Sequence, residues 1–449
     1  MSVVDDKSIF IAMKQDGPFE VEDDLSFHSS FTRHARKWSQ AFYKDASLVT
    51  KYRAVRSQVF DLLQVEAFNE IPQLIDNPEL CLERIDRAYA LLANLYGING
   101  NLQEIKNRIR EYALSADEVI NHLRNKVLAD YQSNIEICNE IEATHNPFDL
   151  LLIVFNSKYH KKARFEAKRK LVLMGLAGSI DQRERETDIE NKFSAFLEFL
   201  NHHVWSPELK IGELKTTYLH SHHEVNDFSC TSVRVIDDIN EIPEITPGER
   251  EKLTLIKRRL FKSSHHDIPV YVTVRKKDAA AKILKLLRKN EKNPAVAVDD
   301  ELGLMAVLDS ISDVKQFVRH LSHAAVNADS IMVLEDISDT LTGGRYHATS
   351  EGSSSKTPML KFFARLGGIR VEFIIHTNQT YLNYRYQRDI AHEEYEVKRI
   401  FDSGVAEFLF PKDIYQLDMN LIKKKQLQKS RRLIESADNK FFSMASMGR

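Results

Sequence analysis

At 449 residues the chain is longer than one ordinary core supports, so two or three domains are expected. Its 63 basic and 65 acidic side chains nearly cancel, which excludes a protein that coats polyanions with its whole surface and leaves only local basic clusters for that purpose. Three cysteines, Cys81, Cys138 and Cys230, stand far apart; they exclude a disulfide framework and the paired spacing of a zinc finger, and they fit a reducing, cytoplasmic setting.

The amino terminus turns acidic at Asp5 and Asp6 and again from Glu20 to Asp24, without the basic start and apolar stretch of a secretory signal. The longest apolar run, residues 148–155 with Asp149 interrupting it, is too short to span a bilayer, so no membrane partner is expected. From residue 26 to about 201 the pattern is helical. Leu82, Ile85, Tyr89, Leu92 and Tyr96 recur at steps of three and four, Gly97 and Gly100 punctuate, and Leu102, Ile105, Ile109 and Tyr112 resume the stripe. Ser115 with Glu118 reads as a capping box opening a further helix. Lys158, Lys161, Lys162, Arg164, Lys168, Arg169 and Lys170 crowd one segment with only Glu166 opposing them; this reads as a solvated helix face, with contact to RNA phosphates as the alternative.

Beyond Trp205 strand-like pieces surround 214–219 and 228–235, with His220, His222, His223, Glu224 and Asp227 between them; the spacing reads as a polar turn rather than a closed metal site. Thr246-Pro247-Gly248-Glu249 predicts a helix start, running to about Phe261. Strands and helices then alternate: a strand at 268–275, a helix at 278–289, a strand at 302–309, a helix at 314–327 and a strand at 330–334. A polar loop, a hairpin turning at Gly367-Gly368 and a helix over 379–402 complete this unit, and a basic helical tail follows. The expected fold class is α+β: a helical domain over 1–205, a mixed connector over 206–265, a mixed-sheet domain with covering helices over 266–411, and the tail over 412–449.

The second hairpin arm places Glu372, Ile374 and His376 on one face and Val371, Phe373, Ile375 and Thr377 on the other. An acid in such a strand is either a solvated edge residue or a buried group met by a cation or metal. Arg275, Lys276, Lys277, Lys282, Lys285, Arg288 and Lys289 load the end of the first strand and its following helix with charge suited to phosphate, and Asp299, Asp300 and Glu301 precede the next strand. One of these acids and Glu372, two carboxylates from separate strands beside a basic cluster, suit a magnesium–nucleotide site.

Residues 269–399 resemble the synthetase domain of RelA/SpoT-type alarmone synthetases, of the nucleotidyltransferase superfamily. Arg275, Lys277 and Lys285 match that family's Arg-x-Lys element and helix lysine, Asp300 and Gly303 its Asp-x-x-Gly-x-Arg element, and Glu372, His376 and Thr377 its Glu-x-Gln-x-Arg-Thr strand, with His392 and Tyr395 following in order. The resemblance implies transfer of pyrophosphate from ATP to a ribose 3′-hydroxyl of a nucleotide or RNA. Asp300 and Glu372 would be the acid–base and Mg2+-binding pair; Arg275, Lys277, Lys285, His376 and His392 would hold substrate. Met305 stands where the family has Arg, Ile374 where it has Gln, and Gly352-Ser353-Ser354-Ser355 where it places the guanine-stacking Tyr. Either Tyr346, His347 or Phe362 supplies that ring, or the acceptor is held elsewhere, as RNA along the basic helices; a catalytically degenerate nucleotide- or RNA-binding protein is the alternative function. The helical half shows no paired His-Asp motif, so the family's hydrolase domain is not expected.

Overall fold

Two compact units divide the chain in the computed structural model, which describes residues 2–5, 8–10, 19, 40, 45–206, 214–243, 250–262, 266–344 and 357–436. The first unit takes Met1–Thr187, Asp278–Asp299 and Arg399–Lys423; the second takes Asp188–Lys277, Asp300–Lys398 and Lys424–Arg449. Counting helices of nine residues or more, the order is α1 Ala46–Leu63, α2 Pro78–Tyr96, α3 Leu102–His122, α4 Pro147–Phe155, α5 Lys161–Thr187, α6 Ile189–Phe199, β1 Lys215–His223, β2 Cys230–Ile236, β3 Glu251–Lys262 and β4 Asp267–Lys276. There follow α7 Ala279–Lys289, β5 Leu302–Leu308, α8 Ile311–Asn327, β6 Val333–Asp339, β7 Leu360–Leu366, β8 Ile369–Thr377, α9 Asn378–Tyr386, α10 His392–Asp402 and α11 Met419–Ser436. The chain is α+β, with helices first and a mixed eight-stranded sheet after them. No helix among the described residues is long and apolar enough to cross a membrane.

The unit boundaries depart from those read in the sequence. The helical unit ends at Thr187 rather than 205, and residues 278–299 and 399–423 join it because Ile283, Leu286, Leu287, Val405, Leu409 and Phe410 are buried in its core. No separate connector exists over 206–265 among the described residues, since β1, β2 and β3 belong to the one sheet.

In the helical unit the apolar stripe forms as expected in part. Tyr89, Ile109 and Tyr112 are buried, but Leu82 is 70% exposed. Gly97 closes α2 at φ +61°, and Asn101 and Glu104 form the capping box of α3. Helix α3 then continues through Ser115, so Ser115 and Glu118 open no new helix; the buried stripe Ala113, Ala116, Val119 and Ile120 carries the turn onward. Lys158 is exposed, but from Arg164 onward the basic segment is not a solvated face. Arg164, Lys168, Arg169 and Lys170 are buried on α5. Lys168 Nζ donates to the Phe19 carbonyl (3.0 Å), Arg169 to the Leu409 carbonyl (2.7 Å) and the Tyr415 hydroxyl (2.9 Å), and Lys170 to Asp117 (2.8 Å) and the Ile141 carbonyl (3.0 Å). Buried Glu166 accepts from the Cys138 amide and the Tyr415 hydroxyl, both at 2.8 Å. Long side chains thus carry charge to main-chain oxygens that the interior would otherwise leave unmet.

In the second unit the strand order is β2-β1-β3-β4-β5-β8-β7-β6, antiparallel except for the β5–β8 pair. The expected helix ending near Phe261 is a correction: residues 244–249 lie outside the described residues, and 251–262 form β3, held between β1 and β4. Its alternation, with Lys252, Thr254, Ile256 and Arg258 buried, is the period of a strand. One face of the sheet, with Val270, Leu304, Ala306, Phe362, Val371, Phe373 and Ile375, packs with Phe196 of α6 and Phe317 and Leu321 of α8. The other carries Leu219, Ile256 and Val307 with Tyr381, Leu382 and Tyr386 of α9. Gly367 and Gly368, at φ +54° and +79°, make the two-residue turn between β7 and β8. The single helix expected over 379–402 is two, α9 and α10, parted by a break in which Asp389 has φ +63°.

Candidate functional site around Glu372

Strand β8 is interior to the sheet, between β5 and β7, so Glu372 is not a solvated edge acid: it is 4% exposed. Register runs Arg275, Gly303, Glu372, Phe363 straight across β4, β5, β8 and β7. Gly303 makes this line work. A Cβ there would lie 3.1 Å from Arg275 Nε, so its absence lets the guanidinium pass over β5 to the acid. Arg275 donates to Glu372 Oε2 at 3.1 Å, and Lys361 from β7 meets Oε1 at 2.9 Å. Burial penalises a carboxylate; two cations, one on each oxygen, offset that penalty. The Arg275 side chain remains 51% exposed, so one end of the cluster faces water.

The same face continues as a row of rings. His376 lies 5.3 Å from Tyr384 between ring centroids, and Tyr384 lies 5.2 Å from His392. Burial pushes His376 down to about 4, with the Pro358 main chain opposing, so its imidazole is neutral at ordinary pH. Tyr384 is pushed up to about 12, mainly by burial, with Arg275 lowering it and Glu396 and Glu372 raising it. His392 is held below its ordinary value chiefly by burial, and its Nε2 is 3.9 Å from Glu396.

The predicted residues divide. Arg275, Glu372, His376 and His392 fall in one neighbourhood, linked by Tyr384. Lys277 pairs instead with Asp300, just ahead of β5. Lys285 sits on α7 of the helical unit and pairs with Asp299 at 3.2 Å. Met305 and Ile374 are register partners, with Lys361 beside Ile374. Magnesium wants several free oxygens. Both Glu372 oxygens are engaged by cations, Asp300 is engaged by Lys277, and no group of three metal-ligating side chains among the described residues includes either acid. An ion shared by the two carboxylates would have to displace these cations.

Lys361, Tyr384 and Glu396 escaped the sequence reading. Lys361 had a signal: a two-residue turn at Gly367-Gly368 sets Phe363 opposite Glu372 and Lys361 opposite Ile374, a diagonal neighbour of the acid. Phe362 cannot serve as a replacement ring here, because it stacks on Phe373 in the core of the opposite face (5.0 Å). Tyr346, His347 and Ser353 to Ser355 lie outside the described residues. No protein-family model, curated protein or solved structure matches the chain.

Proposed function

We propose that the sheet unit binds ATP and transfers its terminal pyrophosphate to a ribose hydroxyl, in the manner of the RelA/SpoT-type synthetases that residues 269–399 resemble. The observation that carries this reading is Glu372, a buried carboxylate held between Lys361 and half-exposed Arg275 on a face lined by His376, Tyr384 and His392. Arg275 and Lys361 are cations to which triphosphate oxygens would be drawn, with Lys277 a third on the same unit. As phosphate takes over a cation, a Glu372 oxygen is released to accept the acceptor hydroxyl's proton. The hydroxyl oxygen bonds to the β-phosphorus, the bond from that phosphorus to the α,β-bridging oxygen breaks, and AMP leaves. Magnesium belongs to this reading only as a companion of the substrate phosphates. The acceptor is a guanine nucleotide or RNA. The burial of Arg164, Lys168, Arg169 and Lys170 removes support from that segment as an RNA surface.

A second reading, nucleotide binding without turnover, is favoured by the engagement of both Glu372 oxygens and by Met305 and Ile374 beside them. Incubating the protein with magnesium, β-labelled ATP and GDP, GTP or tRNA separates the two. Label on an acceptor, lost in Glu372→Gln, supports transfer. ATP binding without transfer selects the second reading, and absence of both rejects the site.

A further inference from the structure

The run His220-Ser221-His222-His223 is divided by strand alternation. His223 turns to one face of the sheet, where its Nδ1 meets the Phe228 carbonyl (3.0 Å) and its Nε2 the Ser221 hydroxyl (2.9 Å). His220 and His222 turn to the other. There β3 supplies Glu251 as the register partner of His222. His220 Nε2 lies 3.1 Å from Glu251 Oε2, His222 Nδ1 lies 3.1 Å from Oε1, and one ligand atom from each residue falls within 4.8 Å of the others. Asp227 and Glu224, neighbours in sequence, are not part of the group: Asp227 accepts from Gln387 and from the Ser229 amide in a turn.

We propose that His220, His222 and Glu251 bind one divalent transition-metal ion of the zinc class. Four-coordinate zinc with bonds of about 2.0–2.1 Å spaces its ligands about 3.3 Å apart. Each imidazole nitrogen lies 3.1 Å from a different Glu251 oxygen, and with one ligand atom from each residue already within 4.8 Å of the others, the carboxylate has to turn one oxygen toward both nitrogens to meet that spacing. Two imidazole nitrogens and a carboxylate oxygen select zinc, cobalt, nickel or iron(II) over magnesium, which prefers oxygen alone. Antiparallel pairing of β1 with β3 fixes the three ligands before any ion arrives, so little ordering entropy opposes binding. The His220 and Glu251 side chains are largely covered, whereas His222 is 48% exposed. The ion would therefore enter from the His222 side and keep a coordination position there for water or an outside ligand. This site is independent of Glu372 and of any nucleotide.

Calorimetric titration of the full chain with Zn2+, and with Co2+ as a visible-absorbance probe, tests the assignment. The expected result is one equivalent bound at micromolar or tighter dissociation constant, with Co2+ bands that Zn2+ displaces. His222→Gln keeps a hydrogen-bond donor for Glu251 but offers no imidazole, and Glu251→Gln removes the charge; each should weaken Zn2+ by at least the roughly 100-fold that even an outer-shell change can cost. Circular dichroism verifies that both variants fold. No binding at micromolar Zn2+, or two folded variants that bind as the parent does, overturns the assignment.

Discussion

Two basic clusters in this chain meet opposite fates. On α5 of the helical unit, Lys168, Arg169 and Lys170 point inward and end on main-chain oxygens, Tyr415 and Asp117, and Glu166 is closed off by Cys138 and Tyr415. On the sheet, Arg275 and Lys361 end on a single buried acid and leave half of the Arg275 side chain in water. The first arrangement joins elements of the helical unit. The second leaves a cation that a ligand can take over. The difference lies in what each charge touches.

The strongest way to break that comparison is Glu166→Ala. Removing this acid strands the Cys138 amide, takes the acceptor from the Tyr415 hydroxyl proton and removes the counter-charge 3.8 Å from the Arg169 guanidinium, all in a dry interior. Breaking a buried charge network from one side costs about 3–5 kcal/mol. Denaturant unfolding should register that loss, and parent-like stability would show that water reaches these groups and that the helical cluster is not structural.

Acid should act on the sheet unit next. His376 and His223 are both pushed down to about 4 by burial, against an ordinary value of 6.5. Between those values the unfolded chain takes up a proton that the folded one refuses, so stability falls as pH drops from about 6.5 to 4. Above 6.5 neither state is protonated and the effect vanishes. At 1.36 kcal/mol per pH unit, each imidazole accounts for about 3 kcal/mol across the window. His376→Leu should flatten the slope by one proton; an unchanged slope would show that the imidazole is not held neutral.

Gly303→Ala should cost less, about 1 kcal/mol, at the low end of overpacking, because the new methyl meets the movable Arg275 side chain rather than backbone. Its sharper readout is ATP affinity, which should fall as Arg275 is pushed off the line to Glu372. Unaltered affinity would mean that the crossing of β5 has no part in binding.

The hairpin at Gly367-Gly368 was legible because two glycines between alternating arms admit one turn chemistry, and with it came the facing of Glu372 and His376. Strand β3 was not legible: Thr246-Pro247-Gly248-Glu249 imitates a helix start, and only pairing with β1 and β4 decides for a strand. The fate of Arg164 to Lys170 could not be read either, since its partners, Asp117, Ile141, Leu409 and Tyr415, come from remote positions. The metal-ligating trio was half visible as His220 and His222; Glu251 joins them through register alone.

Arg275→Gln should have the smallest effect on stability and tests the other side of the comparison. Its ion pair with Glu372 is partly solvated, and Lys361 stays behind on the second oxygen, so unfolding should shift by less than about 1 kcal/mol. Binding should respond differently. Losing one charged contact to phosphate costs roughly 1.5–3 kcal/mol, a tenfold to hundredfold rise in the ATP dissociation constant. Calorimetry on parent and variant reads both quantities, because a thermal melt accompanies each titration. A variant that binds ATP like the parent but melts several degrees lower would make Arg275 a structural partner of Glu372, the same kind of charge as Arg169, and the contrast between the two clusters would disappear.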